Sequence, residues 1–196
     1  MTTLAALVGV EKSFGSWTVF KDLDFEVVDG GRIGIIGPNG AGKSTLLRIL
    51  ADLEQPTAGD VVRRKGLVTA YLDQNPDGDE RTAEATVLAA RPDVAELDAQ
   101  LRAVERELAR PDVIGDLSRM ERVLARQQGL LDRWVEIGGP GLAGQVRSQL
   151  LSLDIPDADL ALPTSQLSGG QRKLVALAAC LITQPDLLLL RTLRTC

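Results

Sequence analysis

The sequence is that of a medium-sized protein with a mild acidic balance. Its 196 residues are 44% hydrophobic, enough to bury one α/β core, with or without an appended helical lobe. The formal net charge of -5 argues against broad, non-specific attraction to nucleic acid or an anionic membrane. The sequence has neither a secretory signal pattern nor an apolar run long enough to span a bilayer. We therefore expect a cytoplasmic protein without membrane insertion.

Cysteine and histidine usage excludes further kinds of site. Cys180 and Cys196 do not make a disulfide framework, and two reduced bystander thiols are the simpler interpretation. Histidine is absent, so no imidazole can serve as a metal ligand, general base or phosphate sensor in this chain.

The first third of the chain predicts short strands, a glycine loop and a helix. Arg32–Ile36 predicts a short apolar strand that ends at Gly37, and apolar residues then recur at helical spacing over Ser44–Leu53. Other strands are predicted where β-forming residues lie between turn signals, at Leu4–Val10, Asp24–Val28, Asp60–Arg63 and Leu67–Leu72.

Between Thr82 and Trp134 the pattern becomes helical. Two amphipathic helices are predicted by the apolar spacing of Leu97, Leu101, Val104 and Leu108, and of Leu117, Met120, Leu124, Gln127 and Leu131. Arg119, Arg122 and Arg126 share one side of the second helix, where ordinary solvation is the simpler interpretation and phosphate contact is the alternative. A further short helix is predicted at Gln145–Leu153.

A phosphate-binding loop is predicted directly after the first apolar strand. The residues that match its pattern are Gly37, Pro38, Asn39, Gly40, Ala41, Gly42, Lys43 and Ser44. The glycines let backbone N–H groups converge on phosphate oxygens, and the following helix directs its positive end at the same anion. Lys43 supplies charge for the β- and γ-phosphates, Ser44 is placed to ligate Mg²⁺, and Thr45 adds an α-phosphate contact. The motif predicts binding of ATP, or a close relative, with Mg²⁺.

A second motif is Leu167-Ser168-Gly169-Gly170-Gln171. Ser168 and the two glycines are expected to cap the helix that begins there and to leave free N–H groups for an anion. Together the two motifs resemble the Walker A and signature sequences of ATP-binding cassette (ABC) proteins, and the resemblance covers nearly the whole chain. It implies an α/β, P-loop NTPase fold of the ABC nucleotide-binding type. We expect a mainly parallel sheet, antiparallel strands near the N-terminus and an inserted helical lobe.

The resemblance implies further site residues. Gln74 lies where the family has its Q-loop glutamine, so Ser44 and Gln74 are the implied metal ligands; an ordinary loop glutamine is the alternative. Phe14, or failing that Trp17, lies where the family stacks an aromatic ring on adenine, with core packing as the alternative. In the family, residues matching Ser168–Gln171 meet the γ-phosphate of ATP in an opposite cassette. A second cassette, in the same or another chain, is thus the implied partner.

The sequence departs from the family after Leu187–Leu190. The family continues with an aspartate for Mg²⁺ and a glutamate that activates the attacking water, whereas this chain has Arg191 and Thr192. Neither residue supplies a carboxylate, and the family's switch histidine is also missing. No catalytic residue is therefore assigned, and hydrolysis by the isolated chain is not expected. The stretch after Leu190 lacks family character, so we expect a C-terminally incomplete cassette; a natural divergent ending is the alternative.

The long helical stretch before the signature resembles the soluble ABC-F branch. Members of that branch carry two cassettes, insert a helical arm here and act on ribosomes. The predicted arm is not notably basic, so the ribosome as partner follows from the resemblance alone, and sequence-specific DNA is not expected. The alternatives are an ATP-binding subunit of an ABC transporter and a non-functional nucleotide-binding fragment. The expected parts are an ABC core at 1–81, the helical lobe at 82–160, and the signature helix with the Walker B strand at 161–196.

Overall fold

The computed structural model describes residues 2–191, which form two compact units. Residues 2–76 and 183–191 make the first unit, and residues 77–182 make the second. In chain order the strands are β1 (Thr3–Phe14), β2 (Trp17–Val28), β3 (Ala58–Arg63), β4 (Thr69–Leu72) and β5 (Leu187–Leu190). The helices are α1 (Lys43–Leu50), α2 (Ala83–Leu88), α3 (Pro92–Leu108), α4 (Pro111–Ile114), α5 (Leu117–Glu136), α6 (Leu142–Ser152) and α7 (Gly169–Leu181).

An antiparallel sheet in the order β2-β1-β3 begins the first unit. β1 and β2 form a hairpin in which Phe14 lies opposite Trp17, next to the turn. Gly59 on β3 has φ +82°, and a Cβ there would overlap the backbone of Gly9 on β1. The two strands can therefore approach this closely only with glycine at position 59. The strands predicted in this region are confirmed.

A second, parallel sheet joins distant parts of the sequence. β4 pairs with β5 from Thr69 opposite Leu187 to Leu72 opposite Leu190. Leu187 and Leu189 lie in the same apolar core as Leu46, Ile49 and Leu50 of α1. The core of this unit thus links β5 to the helix that follows the glycine loop.

The strand predicted at Arg32–Ile36 is wrong. These residues have no regular secondary structure, and the side chains of Ile33 and Ile36 are 51% and 97% exposed. Gly34 lies in the middle of the segment, and glycine weakens a strand because it adds conformational freedom without packing area. Without this strand, β4 and β5 are the only parallel pair among residues 2–191, so the expectation of a mainly parallel sheet is also wrong.

The second unit is helical. Its main core gathers apolar residues of α2, α6 and α7, and a smaller cluster joins Val104, Val113 and Val123 of α3, α4 and α5. The predicted pair of long helices is confirmed as α3 and α5, which pack against each other. No helix in residues 2–191 is both long enough and apolar enough to cross a membrane.

The predicted apolar face of α5 is partly wrong. Leu117 and Leu124 are 73% and 46% exposed, whereas Val123 is buried and Met120 and Leu130 pack beside it. Both sets follow helical spacing, so periodicity alone could not decide which one faces α3. The packed face is therefore rotated from the predicted one.

Candidate nucleotide-binding site

The glycine loop ends where α1 begins. Gly40 and Gly42 have φ of +83° and +86°, in the left-handed region that favours glycine. α1 begins at Lys43, and no side chain caps its first turn. The first N–H groups of a helix have no intrahelical partners, so this uncapped end can donate hydrogen bonds to an anion.

β2 supports the loop from one side. A Cβ built on Gly42 would lie 2.5 Å from Cγ1 of Val19 and 3.0 Å from Cδ1 of Phe20. At Gly40, by contrast, a Cβ would have no neighbour within 4 Å. The loop is therefore packed at Gly42 and open at Gly40, which leaves room for a ligand beside the exposed backbone.

Lys43 holds the loop together in this structure. Its Nζ donates hydrogen bonds to the carbonyl oxygens of Gly37 and Pro38 at 2.7 and 2.6 Å. An ammonium has three donors, so a third remains for a phosphate oxygen. Ser44 and Thr45 are half-buried in the first turn of α1. The loop thus offers a cationic side chain, hydroxyl groups and free N–H groups, a donor set that fits a polyphosphate.

The aromatic residues of the hairpin lie at its tip. Phe14 and Trp17 are 48% and 60% exposed, so neither is a core residue. Nζ of Lys12 is 4.8 Å from the centroid of the Phe14 ring. It donates hydrogen bonds to Oε1 of Glu54 at 2.6 Å and to the carbonyl oxygen of Gln55 at 2.7 Å. The hydrogen bond from Lys12 lowers the pKa of Glu54. The ammonium of Lys12 therefore lies over the Phe14 ring, whereas the Trp17 ring is largely open to solvent.

Arg191 directly follows β5 and contacts the end of β4 and the residue after it. Nη1 of Arg191 donates to Oδ1 of Asp73 at 3.0 Å, and its backbone N–H donates to the carbonyl of Leu72 at 2.9 Å. The same Oδ1 accepts from the backbone N–H of Gln74 at 2.6 Å. Sequence reasoning missed Asp73, although its position at the end of a strand, directly before Gln74, was an available signal. Thr192, like Cys196, lies outside the described residues.

This donor set fits Mg²⁺ less well than it fits a polyphosphate. The hydroxyl of Ser44 and the amide oxygen of Gln74 are suitable oxygen ligands for Mg²⁺. The nearby carboxylate of Asp73, however, is paired with Arg191. Within residues 2–191, no group of three or more His, Cys, Asp or Glu could hold a metal ion.

The signature motif belongs to the other unit, where it starts α7. Oγ of Ser168 accepts from the backbone N–H of Gln171 at 3.2 Å, and Oε1 of Gln171 accepts from the N–H of Ser168 at 2.9 Å. This capping box confirms the predicted helix cap. Nε2 of Gln171 also donates to Asp159 at 2.6 Å, so both ends of its amide are engaged within the chain.

Gly169 and Gly170 are exposed at this helix end. A Cβ built on either glycine would lie 3.9 Å from the nearest side chain, and neither residue has a positive φ. The fold of this unit therefore does not itself require glycine at these positions. Their effect is to leave the backbone of the helix end accessible to another molecule.

The arginines of α5 are engaged mainly with the chain itself. Arg119 is paired with Asp112 at 2.9 Å, and Arg126 is paired with Glu107. Arg122 donates to the carbonyl of Ser118 one turn earlier, at 3.2 Å. These contacts favour the solvated-face interpretation over a phosphate-binding face.

Comparison with known proteins identifies the family of this chain. The family model described as "ABC transporter" matches residues 20–190. The energy-dependent translational throttle protein EttA of Mycobacterium tuberculosis is 33% identical over 182 residues, 92% of this chain and 31% of that protein. The tylosin resistance ATP-binding protein TlrC of Streptomyces fradiae is 36% identical over 186 residues, 94% of this chain and 33% of that protein. The chain thus spans about a third of the length of these curated relatives.

Solved structures agree on the fold. The dimeric structure of a bacterial ABC transporter cassette has a TM-score of 0.62 and 22% identity, covering 95% of this chain and 73% of that chain. A nucleotide-free ATP-binding cassette from an ABC transporter has a TM-score of 0.59 and 20% identity, covering 96% and 68%. At this level of identity, the similarity concerns the fold alone.

Proposed function

This chain belongs to the ABC transporter family, and we propose that it binds ATP through its phosphate loop as a cassette of the ABC-F type. The observation that carries the proposal is the uncapped start of α1 behind the left-handed Gly42, with Lys43 at its first position. A polyphosphate supplies the negative charge that this arrangement leaves without a partner.

Each part of the loop has a distinct role in the proposal. The backbone N–H groups of Gly40 and Gly42–Ser44 bind the β- and γ-phosphates, Lys43 adds its free N–H donor, and Thr45 binds the α-phosphate. Phe14 or Trp17 stacks on the adenine, since both rings are exposed and the hairpin also supports the loop. Mg²⁺, when bound to Ser44 and Gln74, would neutralise phosphate charge and orient the phosphates.

The signature helix serves a second nucleotide site in the proposal. The exposed N-terminus of α7, with glycine at its first two positions, suits the phosphate of an ATP held by another cassette. The partner cassette belongs either to the same polypeptide or to another one. Because Arg191 and Thr192 replace the two carboxylates, we propose that this chain holds ATP at its own loop without hydrolysing it.

An ABC-F role is favoured by the relatives and by the helical pair. The two relatives described above carry the words "translational throttle" and "tylosin resistance" in their names. α3 and α5 are helices of 17 and 20 residues that pack together, as expected for an inserted arm. We propose that the protein acts on the ribosome in the cell. The transporter alternative is supported by structures at 19–22% identity, which bear on the fold only.

Calorimetric titration with ATP tests the binding proposal. The wild-type chain is expected to bind, and Lys43→Ala to bind at least about tenfold more weakly, because a hydrogen-bonded charge on a phosphate is lost. Lys65→Ala removes an exposed lysine of the same unit and is expected to leave the Kd unchanged. Equal Kd values for wild type and Lys43→Ala would refute the assigned role of the loop.

Co-sedimentation with ribosomes tests the ABC-F role separately. The expected result is that the chain sediments with ribosomes more strongly when ATP is present. If ATP binds by calorimetry but no ribosome association follows under any nucleotide condition, the ATP-binding part of the proposal stands and the ABC-F part fails.

A further inference from the structure

Two arginine–aspartate ion pairs mark the two ends of β5. Before the strand, Arg64 is paired with Asp186 at 2.7 Å, and after it Arg191 is paired with Asp73 at 3.0 Å. Because β4 and β5 are parallel, Asp73 and Arg191 follow their strands at the same edge of the sheet. The guanidinium of Arg191 is thus held at the carboxyl edge, and that of Arg64 at the amino edge.

The carboxyl edge is where the nucleotide phosphates are expected. Ligands of open α/β sheets bind outside the carboxyl ends of the parallel strands. The core cluster that contains Leu189 of β5 also contains Leu46 and Ile49 of α1, the helix that follows the phosphate loop. By this rule, Arg191, which directly follows β5, lies at the edge where a nucleotide phosphate would bind.

The ion pair between Arg191 and Asp73 is partly exposed to solvent. The side chains of Arg191 and Asp73 are 37% and 42% exposed, and exposed pairs of this kind contribute little to stability. A guanidinium has five N–H donors in a planar fork that suits phosphate oxygens, and the bond to Asp73 uses one of them. The group can therefore bind a phosphate by adding a contact or by leaving Asp73.

Arg191 also changes what this edge can bind. Where the family has a carboxylate that helps to hold Mg²⁺, this chain has a permanent positive charge, and the neighbouring carboxylate of Asp73 is paired with it. A cation at this edge repels Mg²⁺ and attracts a free polyphosphate. At this edge, the charge of Arg191 that disfavours the metal also favours a phosphate.

We propose that Arg191 is a phosphate ligand that supplies positive charge in place of Mg²⁺, so that the chain binds nucleoside triphosphates without a divalent cation. The inference rests on the proposed ATP-binding function and adds to it the form of the ligand, which is the metal-free triphosphate. It makes Mg²⁺ at Ser44 and Gln74 dispensable for binding.

Calorimetric titration with ATP in excess magnesium chloride and in excess EDTA tests this inference. For the wild type, the two Kd values are expected to agree within about threefold. Arg191→Ala is expected to bind about tenfold more weakly than wild type in EDTA, because one charged hydrogen-bond donor is lost. Arg191→Lys keeps the charge and is expected to retain most of the EDTA binding.

Arg64→Ala is the matched control, since it removes an equivalent ion pair from the opposite end of the same strand. It is expected to leave both Kd values unchanged, and circular dichroism verifies that each variant is folded. A tenfold or larger loss of wild-type affinity in EDTA would overturn the inference while the proposed function stands. Equal EDTA binding by wild type and Arg191→Ala would also overturn it. No ATP binding in either buffer would overturn the proposed function and this inference together.

Discussion

Replacement of Gly42 by alanine probes how the phosphate loop is built. The change places a Cβ on a residue with φ +86°, 2.5 Å from Cγ1 of Val19 and 3.0 Å from Cδ1 of Phe20. The left-handed backbone costs a non-glycine residue about 1–2 kcal/mol. Overpacking against β2 adds about 1–3 kcal/mol, so the free energy of unfolding should fall by about 2–5 kcal/mol.

Gly40→Ala is the matched control for this measurement. Gly40 has nearly the same φ, +83°, but a Cβ there meets nothing within 4 Å. Only the backbone cost of about 1–2 kcal/mol should apply, so the difference between the two variants isolates packing of the loop on β2. Urea unfolding followed by circular dichroism measures both values. If the two variants lose the same free energy, the loop does not pack on Val19 and Phe20 as described.

Two further predictions concern α5 and acid stability. In the same urea assay, Val123→Ala should lower the free energy of unfolding by about 1–2 kcal/mol, whereas Leu124→Ala should change it by less than about 0.5 kcal/mol. A larger loss for Leu124→Ala than for Val123→Ala would instead support the packed face of α5 that was expected from the sequence. The urea midpoint should be nearly constant from about pH 5 to 8, because the chain has no histidine. The hydrogen bond from Arg64 lowers the pKa of Asp186 in the folded protein. The stabilisation of the fold by this ion pair is therefore complete above the pKa of Asp186 in the unfolded chain, and it is lost as the pH falls below about 4. Asp186→Asn should reduce that acid loss, and an unchanged acid profile in this variant would contradict the assignment.

The elements that the sequence predicted correctly have strong local signals. The strands at Leu4–Val10 and Asp24–Val28, α1 and the α7 cap each follow from residues that lie close together in the chain. Ser168 and Gln171, three positions apart, are enough to predict the capping box that the structure contains. Local chemistry of this kind does not depend on the rest of the fold.

The failures concern contacts that the local sequence pattern does not determine. A strand at Arg32–Ile36 needs a neighbour for its backbone groups, and apolar character alone did not show that none would pair with it. On α5, two apolar stripes compete, and only packing on α3 and α4 selects the one containing Val123. The pair between Asp73 and Arg191 was unpredictable for the same reason, since it depends on the register of β4 and β5.

The parallel pairing of β4 with β5 has a consequence for synthesis of the chain. Asp186, which precedes β5, lies 118 positions after Val68, which precedes β4. At typical elongation rates, β4 emerges about 6–24 s before its partner. The helical unit is continuous from 77 to 182, so all of it has been made before β5 appears. During this interval the edge of β4 has no β5 to pair with and is open to other strands. A nascent chain stalled after β4 but before β5 should therefore be more prone to non-native strand pairing than a chain that contains both strands.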